Sequence, residues 1–228
     1  MRYVLSDPHG NLSLLKALLS KIGFSKSDTL IVCGDFLDKG RESVALAKFL
    51  RDTDNVSCIL GNHELAFLNY YRAILRESPT DFDGVLRRLG EYFEDGYLLD
   101  YDLLDWLEEL PAYIETESEI FVHAGIPILK GGELMPLSEA STEELVYDRR
   151  FKEPATRFKC DKCVFFGHTE TQTSRIVAYL REGVSEARSV SDISRVHLDT
   201  GVFSSGTMGA FCIDTCRVVY VKSTSGEG

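Results

Sequence analysis

The stretch TLIVCGDFLDKG, residues 29–40, decides how the rest of the chain is read. Thr29 to Cys33 form a short apolar run of the kind found in strands buried on both faces. Gly34 then permits a sharp turn of the backbone, so Asp35 stands at the carboxyl end of the strand. Asp38 and Lys39 follow at once. In open α/β sheets, ligands bind outside the carboxyl ends of strands, so charged residues placed there are candidates for chemistry.

The same sequence of events occurs at four other places. YVL precedes SDPHG, VSCIL precedes GNHE, EIFV precedes HAG, and CVFF precedes GHT. Helical patterns fall between the early runs. Leu12, Leu15, Leu18, Leu19 and Ile22 make one apolar stripe, and Ser43 to Leu50 predict a shorter helix. This β-α-β-α-β alternation predicts an α/β fold with parallel pairing. From Leu65 to Leu110 no strand is evident, and two or three helices inserted there would act as a cap or as scaffold. After GHT, the segments TSRIVAYL, SRVHLDTG, MGAFCIDT and CRVVYVKS predict antiparallel hairpins in a second sheet. With no internal repeat or linker, residues 1–228 are expected to form one continuous domain, the helical insertion covering about 65–110.

If the five runs are neighbouring strands, their polar clusters meet. They bring Asp7, His9, Asp35, Asn62, His63, His123 and His168 together, including four of the chain's five histidines. Carboxylate, imidazole and amide oxygen suit borderline divalent transition metals better than calcium. Six plausible ligands exceed what one tetrahedral zinc needs, and fit two metals sharing a carboxylate. Asp35 is the natural bridge.

The net charge of −11 and pI near 5.0 argue against a nucleic-acid groove as the working surface. Small phosphorylated substrates stay open, because bound divalent cations invert the local field. No secretory signal or membrane span is visible, and six cysteines without a signal suggest reduced thiols in the cytoplasm.

The motifs SDPHG, GDFLDKG, GNHE, HAG and GHT, in this order, resemble those of the phosphoprotein phosphatase branch of the calcineurin-like metallophosphoesterases. The likeness runs from residue 3 to about residue 210, where LDTGVFSSGTMGAFCID resembles the family's C-terminal LDTG segment. It implies a two-sheet β-sandwich core flanked by helices. It also implies two divalent ions, manganese first, with iron, zinc, cobalt or nickel as alternatives. Asp7, His9 and Asp35 would hold the first, and Asp35, Asn62, His123 and His168 the second. A hydroxide between the metals would attack phosphorus. His63 would protonate the leaving group, with Asp38 bonded to its imidazole. Lys39 stands where the family has arginine and would contact phosphate, with Arg41 as a substitute. LVYDRRF resembles the family's Trp-x-Arg segment and makes Arg149 a second clamp, with Tyr147 in the tryptophan position.

The resemblance points first to a serine/threonine protein phosphatase acting on a phosphorylated protein or peptide, because Asp38 is present. The alternative is a diadenosine polyphosphate or nucleotide-cap hydrolase acting on a small phosphorylated molecule, since Lys39 occurs in part of that group. Tyr70, Tyr71, Tyr92, Phe93 and Tyr97 would then stack a base, or else pack helices. A non-catalytic scaffold is a remote third reading, because no metal ligand is missing. Cys160 and Cys163 form a CxxC that would join Cys212 and Cys216 in a metal site or remain ordinary thiols. His197 is expected to be structural, and Asp199 and Gly201 to shape the turn next to His168.

Overall fold

Val4 and Leu5 are fully buried at the end of the first strand, and that strand becomes the centre of a sheet. The computed structural model describes residues 1–77, 79–90, 93 and 99–223. Its strands are β1 (Arg2–Leu5), β2 (Thr29–Val32), β3 (Val56–Cys58), β4 (Tyr113–Glu115), β5 (Glu119–Val122), β6 (Cys163–Phe166), β7 (Val177–Leu180), β8 (Ile193–His197), β9 (Thr207–Cys212) and β10 (Arg217–Lys222). Its α-helices are α1 (Leu12–Ile22), α2 (Ser43–Arg51), α3 (Asn62–Glu77), α4 (Phe82–Gly90), α5 (Tyr101–Glu108), α6 (Thr142–Tyr147) and α7 (Val202–Ser205).

The strands form two five-stranded sheets, in the orders β10-β9-β1-β2-β3 and β4-β5-β6-β8-β7. The first three predicted strands pair in parallel, Leu5 opposite Val32 and Val32 opposite Cys58. The fourth and fifth also pair in parallel, but in the other sheet. The five runs are therefore not neighbours in one sheet. The C-terminal hairpins do not make a sheet of their own either. The hairpin β7–β8 extends one sheet through parallel pairing of β8 with β6, and β9–β10 extends the other through antiparallel pairing of β9 with β1. A buried apolar run satisfies either sheet equally well, so local pattern does not assign its neighbour.

Three apolar layers hold this arrangement. Val4, Cys33, Ile59 and Phe211 from one sheet meet Phe121, Phe165 and Val196 from the other. Phe121 stacks on Phe165 at 5.0 Å, and Phe165 meets Phe211 at 5.7 Å. The outer face of the first sheet is covered by α1 and α2. Leu12, Leu15, Leu18 and Leu19 are buried there as the periodicity requires, and Gly23 ends α1 in the left-handed conformation at φ 64°. The outer face of the second sheet lies under the segment carrying Ile126, Leu137, Leu145 and Phe151.

Between β3 and β4 the chain forms α3, α4 and α5. Tyr71 and Phe93 serve packing there: Tyr71 is buried, and Phe93 rests on Phe67 at 5.2 Å. Tyr92 and Tyr97 lie outside the described residues. Helix α6 is short, six residues of the segment that links β5 to β6. Ser141 and Glu144 cap its start reciprocally, and Asp148 leaves helical geometry at ψ 126°.

Candidate metal centre

All five polar clusters lie at strand carboxyl ends, and the facing sheets bring them to one place. Asp7 and His9 follow β1, Asp35 follows β2, and Asn62 and His63 open α3 after β3. His123 follows β5 and His168 follows β6, so the second sheet supplies two imidazoles. Among the described residues, eight that are not glycine have positive φ, and six of them are Asp7, His9, Asp35, Asp38, Lys39 and His168. Such conformations cost energy and persist only where surrounding contacts fix them.

Those contacts are specific. The amides of Asp7 and His9 donate to the carbonyls of Gly34 and Asp35 at 3.1 and 2.9 Å, tying the first two loops together. Gly34 takes φ 76°, and a Cβ there would lie 2.6 Å from the Cα of Gly61. The turn anticipated at Gly34 thus also serves close packing of two loops.

Asp35 Oδ2 is the focus of the centre. It lies 3.4 Å from His123 Nε2, 3.8 Å from His63 Nε2 and 3.9 Å from His9 Nε2. Asn62 Oδ1 lies 2.9 Å from His123 Nε2 and 2.7 Å from His168 Nδ1. His123 Nδ1 lies 2.9 Å from the carbonyl of Cys33, which aims its Nε2 inward. Two groups have the spacing to hold a metal: His9 with Asp35 and His63, and Asp35 with His123 and His168. Asp7 Oδ1 stands 4.0 Å from His9 Nε2. Among the described residues no cysteine enters such a group, and all six are free thiols.

The electrostatics ask for a cation. Burial, then the Asp199 charge, pushes the Asp7 carboxyl well above its usual range. Burial lifts Asp199 to about 6 and, with repulsion from Asp35, lifts Glu64 to about 7. Burial opposes the charge on His123, yet Asp35 and Asp7 outweigh it and raise that imidazolium to about 10. Burial holds His9 and His168 down to about 4, with the His123 charge adding to the effect on His168. Asp7 Oδ1 and His168 Nε2 are buried without a hydrogen-bond partner. Orphaned acceptors among uncompensated carboxylates fit divalent cations, which would supply positive charge against phosphoryl oxygens and acidify a bound water.

Asp38 Oδ2 lies 2.8 Å from His63 Nδ1. Lys39 Nζ reaches His9 Nε2 at 3.0 Å, so this cation is at the centre. Arg41 is exposed at the turn before α2 and forms no ion pair among the described residues. Arg150 is tied to Asp148, its Nε 2.9 Å from Oδ2, whereas Arg149 acts on His168, helping to hold that imidazole down. The Tyr147 ring stands edge-on to His168 at 6.3 Å. His197 is structural: Nε2 lies 2.5 Å from the Thr169 carbonyl and the ring stacks on Phe166. Asp199 Oδ1 accepts from the Gly201 amide at 2.8 Å, shaping the turn as expected.

One residue here was not singled out from the sequence. Glu64 is fully buried and accepts from the amides of Asp35, Leu37 and Gly61 at 2.7, 2.8 and 2.9 Å. It fixes the Asp35 loop against the Asn62 loop. The available signal was its phase, since Glu64, Leu68 and Tyr71 share the buried face of α3.

Comparison with known proteins agrees with this geometry. A symmetrical bis(5'-nucleosyl)-tetraphosphatase of Pectobacterium carotovorum is 33% identical over 129 residues, 54% of this chain and 43% of the relative. The chain thus spans less than half the length of that curated relative. Among solved structures, a putative diadenosine tetraphosphatase superposes with a TM-score of 0.70 at 18% identity, covering 99% of this chain and 94% of that one. A cold-active protein-tyrosine phosphatase of a psychrophilic Shewanella species gives 0.59 at 16% identity, covering 96% and 76%. Both structural likenesses show the fold alone. The curated relative carries the dinucleotide name of the alternative reading rather than that of a serine/threonine phosphatase. Among the described residues no helix is long and apolar enough to cross a membrane. The family model for calcineurin-like phosphoesterases matches residues 3–194, and the chain belongs to that family of metal-dependent phosphoesterases.

Proposed function

We propose that the chain hydrolyses a nucleoside polyphosphate of the diadenosine tetraphosphate class with two divalent metals, manganese first. The observation that carries the metal chemistry is Asp35 Oδ2, faced by three imidazole nitrogens within 3.9 Å. Asp7, His9 and Asp35 would hold one ion, and Asp35, Asn62, His123 and His168 the other. Lys39 and Arg149 bind and orient the phosphoryl group, with Arg41 as the substitute for Lys39. The substrate class is supported by the 33% identical relative, whose name is that of a tetraphosphatase.

A second reading, hydrolysis of phosphoserine or phosphothreonine on a protein or peptide, is favoured by the Asp38–His63 contact of 2.8 Å. An alkoxide leaving group needs a proton from a held acid, whereas a nucleotide phosphate leaves readily without one. The test compares diadenosine tetraphosphate with a phosphothreonine peptide, manganese present in both. Faster turnover of the nucleotide is expected, and turnover of the peptide alone would reverse the order. Asp35→Asn should abolish metal loading and turnover of either substrate.

A further inference from the structure

A second cluster of positive charge lies outside the metal centre. A cavity of about 710 Å³ is lined by Arg157, Arg181 and Arg195, and by Phe158, Tyr179 and Leu180. None of the metal-centre residues borders it. Its size suits a small organic ligand.

Arg195 is the unusual member. It is only 2% exposed, on β8, and among the described residues it meets no carboxylate. Nη1 and Nη2 donate to the carbonyls of Thr156 and Glu153 at 3.0 and 2.9 Å, while Nε is buried without a partner. Its guanidinium lies 4.0 Å from the centre of the Tyr179 ring, which fixes the plane of the group. A buried cation is costly unless its charge is compensated, and carbonyl dipoles compensate only part of it.

The neighbouring arginines share this condition. Arg157 donates to the carbonyls of Pro154 and Thr156 at 2.7 and 3.0 Å. Arg181 donates to those of Ser191, Cys160 and Asp161 at 2.7, 2.6 and 2.6 Å. Among the described residues neither forms an ion pair. Lys159 on the rim is paired with Glu133 at 3.0 Å, and Glu182 is the one acidic residue of the lining. Three arginines without ion pairs among the described residues thus meet around one aromatic wall, in a chain of net charge −11.

We propose that this pocket is a second anion site, which binds a nucleoside di- or polyphosphate. Its phosphates lie against Arg157, Arg181 and Arg195, and its base against Phe158 and Tyr179. Guanidinium forks match phosphate oxygens in geometry, and exposed Arg157, bonded through Nη1 to two carbonyls, presents its Nε and Nη2 edge as donors.

Titration calorimetry of metal-free protein with ADP tests this, because the catalytic ions are then absent. Wild type is expected to bind with a Kd below about 1 mM, as several charge-assisted contacts predict. Arg195→Met and Arg157→Ala should each weaken binding about tenfold or more. Arg157 is exposed and bonds only nearby carbonyls, so its variant folds even if Arg195→Met does not. Arg149→Ala, at the metal centre, should leave the affinity unchanged. Absence of ADP binding, retention of full affinity in Arg157→Ala, or its loss in Arg149→Ala would each overturn the proposal.

Discussion

Replacing Gly61 by alanine adds one methyl group at a tight point of the metal centre. A Cβ there would lie 2.3 Å from Asp35 Oδ1, 2.4 Å from Asp35 N and 2.7 Å from Glu64 Oε2. Gly61 is not among the glycines with positive φ, so alanine is opposed by space and not by backbone conformation. Ordinary contact for a Cβ begins near 3.4 Å, and the Asp35 loop must therefore give by about 1 Å. That loop carries the carboxylate shared by three imidazoles, and a misplacement of about 1 Å costs roughly 10²-fold in rate. Overpacking should cost a further ~1–3 kcal/mol of stability. Manganese affinity measured by electron paramagnetic resonance should fall in parallel with kcat, and urea unfolding should report the stability loss. Gly90→Ala is the control, since its Cβ meets nothing within 4 Å and should leave manganese affinity and kcat unchanged. A Gly61→Ala protein with wild-type manganese affinity and turnover would refute the reasoning.

Asp38→Asn removes the charge-assisted bond to His63, worth ~1.5–3 kcal/mol, and should slow a phosphothreonine peptide by about 10–100-fold. Turnover of p-nitrophenyl phosphate, whose leaving group needs no proton, should change less than about threefold, and equal losses would remove His63 as the acid. Arg149→Ala should raise KM or lower kcat/KM by about tenfold or more, whereas Arg150→Ala, already tied to Asp148, should change little; steady-state kinetics separate them. Burial lowers His197 to about 4, so its stabilisation is present above the unfolded value near 6.5 and is lost as pH falls towards 4. Wild type should lose up to ~3 kcal/mol more than His197→Gln between pH 7 and pH 4, read by urea unfolding of both proteins in the same metal-free buffer.

The candidate centre was legible in the sequence because each polar cluster ends an apolar run, three of the five at Gly34, Gly61 and Gly167. Those glycines are positions where a Cβ would strike another loop: at Gly167 it would meet the Ser6 and Asp7 side chains. The sheet partners were not legible. Nothing in EIFV or CVFF says that these strands pair with each other in a second layer instead of extending the first. Strand β4 escaped because three residues, YIE, carry no apolar run. Arg195 escaped for the opposite reason, since an arginine within ISRVH reads as an edge position until the overlying segment is in place. Of the cap aromatics read as base-stacking or helix-packing, Tyr71 and Phe93 pack helices, Tyr70 is exposed, and Tyr92 and Tyr97 lie outside the described residues.

The division of the candidate ligands between two sheets would couple the interior of the sandwich to any metals they hold. Asp7, His9, Asp35 and Asn62 move with one layer, and His123 and His168 with the other. The spacing between them is set by Phe121, Phe165 and Phe211, which act as shims. Trimming one of these rings would narrow the gap between layers and alter metal preference without touching a ligand. Conversely, ions held from both sides would act as a rivet across the sandwich, so the loaded protein should resist heat as a single unit, by an amount that follows metal concentration.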